Sequence, residues 1–183
     1  SAAPPITHRL CGSSVAPMKR SGVSPVNAGS ECTRLSQITC ASPRSSSDTP
    51  IMIGNVLYVS TPYNRVAALD AETGREIWTF DPKAYEDGQP PNGTGFVHRG
   101  VAAWRDGTSM RIFISSRYRL FALDAVTGEP IAGFGANGFV DLSKGLRWEI
   151  ERRHYTSTSP PVVYRDLVIV GNGVGDRLTY PKD

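Results

Sequence analysis

The phrase Leu-Asp-Ala-x-Thr-Gly occurs twice in this chain, in ALDAETGREIW (Ala68–Trp78) and again in FALDAVTGEPI (Phe121–Ile131). A chain that repeats a phrase builds the same local structure twice, so the repeat limits the architecture before any single motif does. In the first copy Asp70 can fold its carboxylate back onto the backbone amides ahead of it. Gly74 can take the positive φ of a tight reversal, and the strand VAAL then turns into the strand REIW. The second copy keeps Asp124, Ala125, Thr127 and Gly128 in register, with the two aspartates 54 positions apart, and predicts a second hairpin. Another pair of landmarks has the same period. Thr49-Pro50 opens a strand IMIGNVLYVS, Ser159 with Pro160-Pro161 opens VVYRDLVIVGN, and Pro161 follows Pro50 by 111 positions, close to twice 54.

The segments between these landmarks are short and rich in Val, Ile, Tyr and Phe, bounded by Gly, Asn, Asp and Pro. NVLYVST (55–61), RVAALD (65–70), EIWTF (76–80), RIFISS (111–116), LFALD (120–124), PPVVY (160–164) and LVIVGN (167–172) each have strand length. None carries an apolar stripe at helical spacing over ten or more residues. The fold class is therefore all-β from Thr49 onward. Residues 1–48 differ: they are rich in Ser, Pro, Gly and Thr, lack a sustained period, and read as a poorly ordered low-complexity segment ahead of a domain spanning 49–183. Cys11, Cys32 and Cys40 all fall in that segment, at spacings that match neither a zinc ribbon nor a CxxC pair.

A unit of about fifty-five residues made of four short strands is the signature of a β-propeller blade. About two and a half units are present, fewer than the four or more blades of a closed ring, so the chain reads as part of a larger propeller. The 20 basic and 17 acidic residues are balanced and scattered, which argues against a nucleic-acid surface. No run approaches the roughly twenty apolar residues of a membrane span, and the first thirty residues hold no apolar core of a signal peptide.

The phrase ALDAETGREIW resembles the tryptophan-docking motif of the dehydrogenases that use pyrroloquinoline quinone (PQQ), Ala-x-Asp-x-x-x-Gly-x-x-x-Trp. The resemblance implies a partial eight-bladed quinoprotein propeller in which Trp78 lies against the neighbouring blade and its N–H finds a backbone partner. The second copy has Ala132 in place of the tryptophan. Its continuation GEPIAGFGANGFVDL, and a phrase NGTGFVH without the vicinal cysteines of methanol-type members, are similar to the membrane glucose dehydrogenase branch.

Site residues follow from the same resemblance. In RGVAAW, Arg99 matches the arginine that stands beside the quinone oxygens, where a cation stabilises charge on reduction; His98, a lone histidine in a loop, reads as polar surface. In TSPPVVYRDLVIVGNGVGD, Thr158 matches a cofactor-bonding threonine, Gly173, Val174 and Gly175 match residues whose backbone passes close to the cofactor, and Asp176 matches an acidic calcium ligand. A carboxylate suits Ca²⁺, and Asp176 equally suits a turn after Gly175. Ser47 and Asp48 stand where the family commonly has a glutamate, and the family's general-base aspartate belongs to a later blade. RWEIERRH (147–154) and the polar insertion 81–95 read as solvated loops.

The resemblance thus implies an oxidoreductase acting on the CH–OH group of a sugar or alcohol. Its cofactors are PQQ and Ca²⁺, and its electrons go to a quinone or another respiratory acceptor in the periplasm. Any membrane association would come through parts outside this chain. The isolated chain is expected to be inactive. The alternative is a non-catalytic propeller acting in protein assembly, in which Arg99, Thr158 and Asp176 have no reason to converge.

Overall fold

The structure, a computed structural model, describes residues 48–91, 95–146 and 150–173. The segment 1–47 with its cysteines, together with Val174, Gly175 and Asp176, lies outside the described residues.

Among the described residues, ten strands form two four-stranded antiparallel sheets and a hairpin. The first sheet holds β1 (Ile51–Ile53), β2 (Val56–Ser60), β3 (Val66–Asp70) and β4 (Glu76–Phe80), paired in chain order. The expected single strand IMIGNVLYVS is in fact two, with Ile53 opposite Val56. Gly54 at φ 61° with Asn55 makes a two-residue reversal there, a connection that only a residue tolerant of positive φ allows. The β3–β4 turn is the one expected: Asp70 Oδ1 accepts the Thr73 N–H and the Thr73 hydroxyl, both at 2.7 Å, and Gly74 takes φ 69°. The Thr73 hydroxyl, ahead of its N–H, holds the Asp70 carboxyl below the usual carboxylate range.

The second sheet repeats the first with β5 (Ala102–Asp106), β6 (Ser109–Ser116), β7 (Arg119–Asp124) and β8 (Phe139–Asp141). Part of the phrase RGVAAW, which is not among the strands expected from the sequence, is strand β5. The second Asp-x-x-x-Gly copy folds as the first one does, with Asp124 Oδ1 accepting the N–H groups of Val126 (2.8 Å) and Thr127 (3.0 Å) and Gly128 at φ 76°. The predicted hairpin closes as in the first copy, with the Asp124 N–H on the Glu129 carbonyl and the Ile131 N–H on the Ala122 carbonyl, both at 2.9 Å, but its second arm does not extend into a strand. Pro130, which has no N–H to give a ladder, makes one isolated bridge with Leu123, and the returning strand is β8, with Phe139 opposite Phe121. A third unit begins with the hairpin β9 (Val162–Tyr164) and β10 (Leu167–Ile169), which packs beside β5. Of the charged stretch 147–154, Arg152–His154 forms a short 3₁₀ turn whose Arg152 pairs with Asp141 at 2.7 Å.

Alternation along the second sheet builds two cores. Ile112, Ile114, Phe121 and Leu123 face the first sheet and bury Tyr58, Val66 and Ala68. Phe113, Leu120 and Ala122 face the third unit and pack with Phe134, Tyr155, Val163 and Val168. A sheet covered on both faces explains why IFIS and LFAL are continuously apolar. The stacking also gives Trp78 its place: its Nε1 donates to the Ala125 carbonyl of the next sheet at 3.0 Å, as the docking motif implied.

Antiparallel pairing decides which loops meet. With Ala102 opposite Phe113, the chain entering β5 and the chain leaving β6 lie at one end of the sheet. Arg99 and Arg117 therefore emerge together.

Candidate functional site

At that end, Arg99 is exposed, and its NH1 donates to Thr158 Oγ1 at 3.0 Å across 59 positions of sequence. The contact joins the entrance of the second unit to the entrance of the third. Because Thr158 Oγ1 accepts from Arg99, its own O–H remains a donor for a further acceptor. Gly173, the last described residue of the predicted set, is exposed and donates its N–H to the Thr156 carbonyl at 2.6 Å, so the chain after β10 runs back beside the Thr156–Thr158 segment. Val174, Gly175 and Asp176 lie outside the described residues. Among those described, no cluster of three His, Cys, Asp or Glu side chains forms a metal centre.

The backbone around Arg99 is held from both sides. Thr49 N–H donates to the Arg99 carbonyl at 2.9 Å, and Gly100, at φ 145°, sits so close that an added Cβ would stand 2.8 Å from the Thr49 carbonyl oxygen. A side chain at position 100 would push the strands apart and carry Arg99 with them.

His98 overturns its reading as polar surface, because it is 1% exposed. The Gly100 N–H donates to Nδ1 at 3.3 Å, which leaves the ring proton on Nε2. Nε2–H faces Ser115 Oγ at 3.3 Å, Ser115 Oγ donates to Ser157 Oγ at 3.2 Å, and Ser157 Oγ donates to the Ser159 carbonyl at 3.4 Å. Ser60 Oγ closes the other side of the ring, 3.4 Å from Nδ1. The neutral imidazole therefore ties all three units together directly beneath Arg99. Burial pulls its pKa down to about 4, and the Arg99 charge adds to that. The signal in the sequence was the apolar Val97 and Val101 around His98, which mark a chain entering a packed sheet.

The second residue missed is Arg117, in the two-residue turn between β6 and β7, which is 4% exposed. With Asn64, Phe96, Val97, Thr156 and Thr158 it lines a small cavity next to the Arg99–Thr158 pair. No local pattern would have placed an arginine there at φ 57°.

The fold and the exposed Arg99–Thr158 pair can be set beside known proteins. The profile of the PQQ glucose/ethanol/alcohol dehydrogenase β-propeller domain matches residues 31–183. The chain belongs to this family. The match begins ahead of the change in composition at residue 49. Two relatives show how the chain sits within such proteins. The 1-butanol dehydrogenase (cytochrome c) of Thauera butanivorans is 34% identical over 133 residues, covering 72% of this chain and 17% of the relative. The quinoprotein glucose dehydrogenase of Gluconobacter oxydans is 32% identical over 147 residues, covering 70% of this chain and 18% of the relative. Among solved structures, the quinohemoprotein alcohol dehydrogenase of Comamonas testosteroni superposes with a TM-score of 0.58 at 31% identity, over 71% of this chain and 17% of that one. The chain thus spans less than a fifth of the length of these relatives, as two blades and the start of a third of their propeller.

PQQ carries carboxylates and quinone oxygens, all of them acceptors, and the pair offers donors of the kind such a group could take: an exposed guanidinium and a hydroxyl with its proton to give.

Proposed function

We propose that this chain is part of a quinoprotein dehydrogenase that oxidises the CH–OH group of a sugar or polyol. Arg99, Thr158 and the Gly173–Gly175 backbone would hold PQQ, and Asp176 would contribute to a Ca²⁺ site. The single observation that supports this reading over an assembly propeller is the Arg99–Thr158 hydrogen bond, which brings two polar groups from separate blades to one exposed point. When bound, the quinone accepts the hydride from the alcohol carbon.

The share of these residues is orientation and charge. Arg99 supplies a fixed positive charge, and Thr158 keeps its guanidinium turned to one side while its own proton stays available. His98 holds the backbone that carries Arg99, through Nδ1 and the Gly100 N–H. The absence of vicinal cysteines in NGTGFVH favours the glucose and polyol branch. The proposal places the whole protein in the periplasm, with electrons passing to a quinone or another respiratory acceptor.

The test is a titration of the chain with PQQ in the presence of Ca²⁺, followed by quinone absorbance, for the wild type, Arg99→Ala, Thr158→Val and Asp176→Ala. Saturable binding that weakens in the first two variants, and loses its Ca²⁺ dependence in the third, is the expected result. Binding of equal strength in the wild type and in Arg99→Ala would sink the assignment.

A further inference from the structure

Arg117 is buried and, among the described residues, has no hydrogen-bond partner: 4% of its surface is exposed, and Nε, NH1 and NH2 are all unengaged. An arginine is almost never fully buried unless it is paired, because a desolvated charge with no counter-charge is among the most costly groups a fold can hold. Burial lowers its pKa and the nearby Asp87 opposes that, but a guanidinium does not give up its proton in a protein, so the charge persists. The residue also sits at φ 57°, a conformation that L side chains other than Asn and Asp seldom adopt. A desolvated charge and a strained backbone at one residue point to a compensating ligand.

The surroundings say which kind. The cavity that Arg117 lines is bordered by donors: the Thr158 hydroxyl, and the Asn64 side chain, whose Oδ1 is already engaged by Ser116 Oγ at 3.4 Å so that its NH₂ remains. Among the described residues, no carboxylate lines it. Its free space is only about 10 Å³, little more than the room of one water, and it opens to solvent, which favours the smallest oxyanion. A guanidinium presents its N–H groups as a planar fork that pairs with carboxylate or phosphate oxygens, and the small cavity favours the carboxylate.

We propose that Arg117 is the cation of a carboxylate-binding site in this cavity, between the β2–β3 loop, the β6–β7 turn and the chain entering β9. The site stands on the unpaired guanidinium and its cavity; it shares the Thr158 hydroxyl with the quinone reading, but the Arg117 fork does not depend on whether Arg99 holds a quinone. The carboxylate has two sources, a small molecule entering from the exposed face or the side chain of Asp87, which approaches Arg119 to 3.9 Å on the adjoining loop.

The probe is formate, a single carboxylate, titrated into the ¹⁵N-labelled chain while the Arg117 Nε–Hε resonance is followed. That resonance is assigned by its disappearance in Arg117→Gly, a substitution suited to φ 57°. Arg117→Lys keeps the charge and removes the fork. A saturable shift in the wild type, with thermal stabilisation by formate that is weaker by roughly tenfold or more in concentration for both variants, is expected for a small-molecule source. The same behaviour appearing only after Asp87→Asn assigns the carboxylate to Asp87. No saturation in either background, or an equal shift from chloride at the same concentration, overturns the proposal.

Discussion

Trp78 rests against Gly128, the glycine that closes the turn of the next blade. A Cβ added at Gly128 would stand 2.6 Å from Trp78 Cδ2 and Cε3, and the indole N–H donates to the Ala125 carbonyl of the same turn. The repeated phrase thus has two uses. Its tryptophan docks on one neighbour, and its turn is the surface on which another tryptophan docks.

This relationship separates two glycines that look alike in sequence. Gly74 and Gly128 occupy the same turn position at φ 69° and φ 76°, but nothing lies within 4 Å of a Cβ built at Gly74. Gly74→Ala should cost only the backbone penalty, about 1 kcal/mol. Gly128→Ala adds a collision with a packed ring and should cost about 3 kcal/mol. Urea unfolding of the two variants measures the difference, and equal losses would show that the indole contact contributes nothing.

The Ala125 carbonyl accepts from two side chains of the first blade, Trp78 Nε1 at 3.0 Å and Tyr58 Oη at 3.1 Å. Removing one donor leaves the carbonyl satisfied by the other. Trp78→Phe and Tyr58→Phe should each cost on the order of 1 kcal/mol, whereas the double variant, which orphans a carbonyl beside a buried ring, should exceed their sum by a further ~1 kcal/mol. A double-mutant cycle by denaturant unfolding reads this coupling, and simple additivity would refute it.

His98 makes stability depend on pH in a predictable window. In the unfolded chain it titrates near 6.5, and in the folded chain at about 4, so between those values the unfolded state takes up a proton that the folded state refuses. The contribution of the neutral ring is therefore complete above pH 6.5 and declines as the pH falls toward 4, by about 3 kcal/mol in all. His98→Gln should flatten that part of the pH profile. Carboxylates with lowered pKa, such as Asp141, act lower on the scale and remain in the variant.

Gly100 tests whether the backbone beneath Arg99 must stay close to Thr49. Gly100→Ala puts a Cβ against a backbone oxygen at 2.8 Å and should destabilise the chain by roughly 2 kcal/mol. It should also weaken PQQ binding at temperatures where the fold persists, although Arg99 is unchanged. Unaltered binding would mean that Arg99 tolerates a shift of its strand.

The sequence by itself determined what depends on a few neighbouring residues. The Asp70 and Asp124 turns are set by a carboxylate reaching amides two and three residues on and by a glycine at positive φ, so both were legible along with their spacing, the strands between them and the family they indicate. The Gly54-Asn55 reversal was equally local and went unread because apolar residues on both sides masked it. What tertiary structure alone decided is burial and long-range meeting. Val97 and Val101 hint that His98 enters a packed sheet, Arg117 stands in a polar-looking turn, and it is the stacking of the three units that removes both from water. Arg99 and Thr158 are 59 positions apart, and it is the antiparallel register of β5 with β6, and the packing of β9 beside β5, that brings a guanidinium to a hydroxyl. Turn chemistry acts within a few bonds of its residue, whereas desolvation and convergence belong to the whole packed object, and no short stretch of this chain carries them.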